Sequence, residues 1–98
     1  MASDDFAEQA EHTLDRLEQA LDACGLDYER KEGGIIEIEL ADGARVIVNR
    51  HAAAREIWVA ARAGGFHYRW DGAAWRDTRD GSELFSVLSR LVGAVLKA

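Results

Sequence analysis

The chain has 98 residues, 48% of them apolar, which is enough for one modest core and too little for a multi-domain enzyme. Its formal charge of −6 disfavours nucleic acid and anionic membrane as partners and favours a cationic one. One cysteine, Cys24, permits no internal disulfide and is too few for a zinc ribbon or a cysteine-ligated cluster; no stretch has the apolar length of a signal peptide or a membrane span. The expectation is a soluble, cytoplasmic protein that binds neither nucleic acid nor membrane.

The charge is concentrated at one end. Residues 1–29 hold nine acids and one base, a net of −8, whereas residues 30–98 net +2. Within 4–24, Phe6, Ala10, Thr13, Leu14, Leu17, Ala20, Leu21 and Cys24 recur at three-and-four spacing, so the segment reads as an amphipathic helix stopped by Gly25. On its wheel Asp4, Glu8, Glu11, Asp15, Glu18 and Asp22 share an arc of about 80°, away from the apolar stripe. An acidic first turn suits the helix dipole, but Glu18 and Asp22 lie where negative charge is unfavourable. Three readings remain: a solvated face, a ridge of oxygen ligands for a hard cation such as Fe²⁺/Fe³⁺, Mn²⁺ or Ca²⁺, or a docking stripe for a basic surface. A metal there would be held weakly, by two or three carboxylates and water. His12, one turn from Glu8, is more simply a solvated side chain, and Cys24 is expected to pack on the apolar side.

After Gly25 the period becomes two. Residues 35–40 and 45–49 flank Asp42-Gly43, a hairpin signal, and further strands are expected over 56–61, 66–70 and around Trp75-Arg76. Ser82 reads as the N-cap of a second amphipathic helix carrying Leu84, Phe85, Val87, Leu88, Leu91, Val92, Val95 and Leu96. The order predicts an α+β two-layer sandwich in one domain over 1–98, both helices covering one face of an antiparallel sheet of about five strands. Alternation puts Ile36, Ile38, Leu40, Val46, Val48, Ile57, Val59, Phe66, Tyr68 and Trp70 under the helices. The other face collects Glu37, Glu39, Ile47, Asn49, Trp58, Ala60, His67 and Arg69, so Trp58 reads as an exposed aromatic that either shields the sheet or anchors a partner, with Arg50, His51 and Arg55 in a loop beside it. Nucleophile, phosphate-loop and zinc-spacing motifs are absent.

The run from Val48 to Ala60 containing Asn49, Arg50 and Trp58, the Gly64-Gly65-Phe66-His67-Tyr68 turn, the Asp42-Gly43 hairpin and the acidic first helix together resemble a bacterial frataxin along the whole chain. That resemblance implies an αβ-sandwich that binds Fe²⁺ or Fe³⁺ weakly and has no organic cofactor. It implies an iron donor or iron-dependent regulator acting on the cysteine desulfurase and scaffold protein of iron–sulfur cluster assembly, without being an enzyme. Its helix acids are matched by Glu11, Glu18 and Asp22, its acidic start by Asp4 and Asp5, its first-strand acids more loosely by Asp27 and Glu29, and its sheet-surface residues by Asn49 and Trp58; with Glu8 and Asp15 from the wheel, these acids are the expected metal residues, and Asn49, Arg50, Trp58, His67 and Arg69 the expected partner residues. A monomer is expected without metal. The chain departs from the family in having His51 and Glu56 where glutamine is common, and no proline in the 52–54 run. The competing readings are a weak ferroxidase and a metal-independent acidic interaction domain.

Overall fold

A computed structural model describes residues 5–97. The first helix, α1 (Asp5–Ala23), buries Phe6, Ala10, Thr13, Leu14, Leu17, Ala20 and Leu21. Its period matches the apolar spacing of the sequence, and the helix ends where Gly25 takes a φ of 69°. Six strands follow: β1 (Asp27–Lys31), β2 (Ile35–Glu39), β3 (Arg45–His51), β4 (Glu56–Ala61), β5 (Gly64–Trp70) and β6 (Trp75–Asp77). They form one antiparallel meander in chain order, followed by α2 (Leu84–Val92).

Ile36, Ile38, Val46, Val48, Ile57, Val59 and Tyr68 point to one side of the sheet and merge there with Leu14, Leu17, Leu21, Leu84 and Leu88 into a single core. Fully burying an aliphatic side chain of this size contributes about 1.5–3 kcal/mol, so this shared layer holds both helices on the same face. At one end of the core Trp75 meets Phe6 edge-on at 6.0 Å and Trp70 at 5.4 Å. Its indole N–H donates to Thr13 Oγ1 at 2.7 Å, and the Thr13 hydroxyl donates on to the Gln9 carbonyl.

The expected sandwich is present, with one more strand than the alternation pattern gave. Asp27–Lys31 carries no apolar alternation; it is a strand because it pairs along its whole length with β2, from Asp27 opposite Glu39 to Lys31 opposite Ile35. Leu40, Phe66 and Trp70 are only half-buried, lying at the margins of the covered face. The cap of α2 is Glu83, not Ser82: the Glu83 carboxylate accepts from the Phe85 and Ser86 N–H groups. The helix stops at Gly93 (φ 74°), so Val95 is 72% exposed, while Leu96 folds back into the core and donates its N–H to Ser89 Oγ. Cys24 is exposed rather than packed, its thiol donating to the Val95 carbonyl at 3.4 Å.

Candidate functional site

Glu8, Glu11, Asp15 and Asp22 stand exposed along α1, and Glu18 is half-buried. The helix alone would make this an open row of like charge. The pleat of β1, however, turns Tyr28 and Arg30 towards α1 and sends Asp27, Glu29 and Lys31 to the opposite face. Arg30 reaches into the row: Nη1 donates to Asp15 at 2.7 Å and to Glu18 at 2.5 Å, and Nη2 donates to Glu11. From β3, Arg50 Nη1 donates to the other oxygen of Glu11 at 3.1 Å. The Tyr28 hydroxyl lies 2.9 Å from Asp22 and 3.2 Å from Glu18, and its single proton serves one or the other.

These contacts shift the groups that make them. Partial burial, followed by the Asp22 and Glu18 carboxylates, pushes the Tyr28 phenol up to about 12. Hydrogen bonds to Asp15 and Glu18, with the charge of Glu11, hold the proton on Arg30 still more firmly than usual. Gly34 makes the Arg50 contact possible: it is buried with φ +79°, and a Cβ there would sit 2.8 Å from both Cβ and Nε of Arg50. The ridge is therefore a zwitterionic strip, and among the described residues no three His, Cys, Asp or Glu side chains are grouped to hold a metal.

The expected metal residues thus divide. Glu8, Glu11, Asp15, Glu18 and Asp22 share the α1 face, with Asp5 at its start; Asp4 lies outside the described residues. Asp27 and Glu29 do not join them. They occupy the outer sheet face directly opposite Glu39 and Glu37, two like-charge cross-strand pairs, and Glu37 is approached by Lys31 at 3.5 Å and Arg45 at 3.4 Å.

The expected partner residues divide as well. Asn49 faces Trp58 across β3 and β4, and Trp58 faces His67 across β4 and β5. Arg50 and His51 belong to β3 rather than to a loop, and Arg50 points to the helix side, away from Asn49 and Trp58. Trp58 is half-buried rather than exposed, because its indole is sandwiched between two imidazoles. His51 stacks at 3.7 Å and 13°, and His67 at 4.4 Å and 11°. His51 Nδ1 accepts the Ala54 N–H at 3.2 Å, which places its proton on Nε2 in the neutral form.

Below the stack lies Glu56, a carboxylate only 7% exposed on the solvent side of the sheet. It accepts from Trp58 Nε1 at 2.8 Å and Arg69 Nη2 at 2.7 Å, with His67 Nδ1 at 3.8 Å. The indole hydrogen bond first, then the Arg69 bond and the charges of Arg69 and His67, hold Glu56 below its ordinary range. A shallow cleft of about 300 Å³ opens beside the stack, lined by Ile35, Ile47, Asn49, Trp58, Ala60 and His67. Sequence reasoning missed Tyr28, Arg30 and Glu56 as members of these sites. For Glu56 the signal was present, since it sits two residues before Trp58 on the same strand face.

A family model described as a frataxin-like domain matches residues 1–98. The chain is 58% identical over 93 residues to the iron–sulfur cluster assembly protein CyaY of Dechloromonas aromatica, covering 93% of this chain and 89% of that one. It is 46% identical over 98 residues to the protein of the same name from a Janthinobacterium species, covering 94% and 88%. Among solved structures, frataxin from Psychromonas ingrahamii superposes with a TM-score of 0.82 at 21% identity, covering 99% of this chain and 97% of that one. A trimeric frataxin from Saccharomyces cerevisiae, complexed with ferrous iron, superposes at 0.69 and 23% identity, covering 95% and 86%. At these identities the two structures speak for the fold. Among the described residues no helix is long and apolar enough to cross a membrane.

Proposed function

The chain belongs to the frataxin-like family, and from that premise we propose that it serves iron–sulfur cluster assembly as a non-enzymatic adaptor. The α1 ridge gathers ferrous or ferric iron as cargo. The outer sheet face around Trp58 meets the cysteine desulfurase and scaffold protein, and the monomer is the working form without metal.

The observation that carries this reading is the row Glu8, Glu11, Asp15, Glu18 and Asp22 on one accessible helix face. Hard carboxylate oxygens without thiolate or clustered imidazole suit Fe²⁺ or Fe³⁺, and partial occupation by side-chain cations keeps the affinity low. Low affinity suits delivery better than storage. Asp5 and Asp4 extend the proposed row at its start. Asp27 and Glu29, on the far face of β1, belong to a separate acidic patch beside the partner surface.

Asn49, Trp58, His67 and Arg69 form the proposed docking surface. Trp and Arg are the side chains most often found at binding hot spots, and here the indole is already immobilised before a partner arrives. Arg50 contributes to the ridge side instead.

The test is an anaerobic Fe²⁺ titration followed by ¹⁵N-HSQC, repeated on the triple charge reversal of Glu11, Glu18 and Asp22 to lysine. Broadening confined to α1 and the facing β1 amides, abolished in the triple variant, supports the ridge as the iron site. Unchanged broadening in that variant overturns it. Desulfurase association that survives both the reversal and chelation would remove the acids from docking and leave their iron role to the titration, and association lost on reversal but insensitive to chelators would make α1 a metal-independent docking stripe.

A further inference from the structure

Three of the ridge carboxylates are already engaged by cations of the chain itself. Glu11 gives one oxygen to Arg30 and the other to Arg50; Glu18 gives one to Arg30 and shares the Tyr28 proton with Asp22 through the other; Asp15 gives one to Arg30. An ion that takes two or three of these carboxylates must first displace a guanidinium. We propose that Arg30 is a built-in competitor for the cation site, setting the threshold above which iron occupies the ridge and excluding cations too weakly charged to displace it. This rests on the reading of α1 as the iron-binding face.

Three features support it. The Arg30 guanidinium is placed by a different element from the acids it contacts, so the contact can open without disturbing α1. The Arg30 side chain is 23% exposed while Glu11 and Asp15 are 49% and 58% exposed, so the guanidinium has a route to solvent without unfolding. Arginine does not deprotonate in proteins, so pH has no means of releasing this contact from the base side. What opens it is another cation, and one of higher charge density than a delocalised guanidinium.

The competitor is also local. Lys31, the neighbouring residue, points to the other sheet face and pairs with Glu37 at 3.5 Å. Removing either Arg30 or Lys31 changes net charge equally, but only Arg30 occupies the ridge. Partly exposed ion pairs are individually weak, and a network of three shifts a competing equilibrium by about tenfold.

The experiment is anaerobic calorimetric titration with Fe²⁺, and with Na⁺ and Mg²⁺ as challengers, of the native chain, Arg30→Gln, Arg30→Lys and Lys31→Gln, with ¹⁵N-HSQC locating the bound ion. Arg30→Gln is expected to bind Fe²⁺ about tenfold more tightly and to lose discrimination against Na⁺, while Mg²⁺, of the same charge as Fe²⁺, gains alongside it. Lys31→Gln should change affinity less than about twofold, and Arg30→Lys, which keeps the charge but not the fork, should fall between. Equal effects of Arg30→Gln and Lys31→Gln overturn the competitor while leaving the ridge as the iron site, as does weaker binding by Arg30→Gln. If no variant shows broadening along α1, the ridge reading itself fails and the competitor falls with it. Should Arg30→Gln not fold, Arg30→Lys carries the same comparison.

Discussion

Glu56 offers a sharp test of how the outer face is built, because a carboxylate 7% exposed is destabilising unless both its oxygens are used. Here one accepts from the Trp58 indole at 2.8 Å and the other from Arg69 at 2.7 Å. A hydrogen bond to a charged group contributes about 1.5–3 kcal/mol, but Arg69 is 66% exposed and regains water when released, so its share is small. Glu56→Gln keeps an acceptor for the indole and should lose about 1–1.5 kcal/mol. Glu56→Ala leaves the indole N–H without a partner and should lose about 2–3 kcal/mol, worth at least 8 °C or so in Tm for a domain of this size. Thermal melts by circular dichroism measure the loss, and the Trp58 indole proton resonance reports whether the stack persists. Glu56 is held below its ordinary pKa, so its stabilisation is present above the ordinary carboxylate range and disappears as pH falls through the folded value. The gap between native protein and Glu56→Gln should therefore narrow as the solution is taken below that range. A Glu56→Ala loss under about 0.5 kcal/mol, or a gap that is flat with pH, refutes the assignment.

Gly34→Ala should cost more than about 1 kcal/mol, since it combines a left-handed φ of +79° with a 2.8 Å approach to Arg50. Adding Arg50→Ala should recover only the part of the clash that comes from Nε, since the Cβ 2.8 Å away remains, and a double-mutant cycle by chemical denaturation measures that part. Tyr28, with its phenol raised to about 12, keeps its proton in the folded state where the unfolded chain has lost it, so stability should fall as pH rises from 10 to 12. Tyrosinate difference absorbance and denaturation across that window check the sign, and Tyr28→Phe should remove that contribution. Thr13→Val should lose about 1–3 kcal/mol by orphaning the buried Trp75 indole N–H, whereas Thr13→Ser keeps the acceptor and should lose less.

The α1 stripe, the Asp42-Gly43 hairpin and the parity of β3 and β4 were legible because burial imposes their periods directly on the sequence. β1 was not legible from periodicity, since Asp-Tyr-Glu-Arg-Lys contains no apolar alternation; its inward positions are filled by Tyr28 and Arg30, which meet carboxylates rather than core. The same limit applied to the ridge. Six acids on one arc are readable from a wheel, but the cation that contacts three of them lies 12 to 19 residues away and arrives only through strand pairing. Trp58 was readable as a sheet-surface aromatic, and Asn49, His67 and Arg69 as its face-mates. Its half-burial was not readable, because stacking with His51 and His67 depends on side-chain rotation across three strands.

β1 joins the two surfaces, and that gives its register unusual leverage. A strand with one face buried resists slippage, because a one-residue shift exchanges its faces. In β1 such a shift would turn Asp27 and Glu29 towards an already acidic helix and remove Arg30 from it. The contacts of Tyr28 and Arg30 with α1 therefore hold an edge strand that has no aliphatic anchor of its own. If iron displaces Arg30, part of that hold is lost while the β1–β2 ladder remains. Amide hydrogen exchange should then accelerate in Asp27–Lys31 on saturation with Fe²⁺, with β3 and β4 unchanged, and Arg30→Gln should show the accelerated exchange before any metal is added. Exchange in β1 that slows on iron binding would mean that the ion bridges strand to helix more firmly than the guanidinium does, and that the hold on the edge strand passes to the metal.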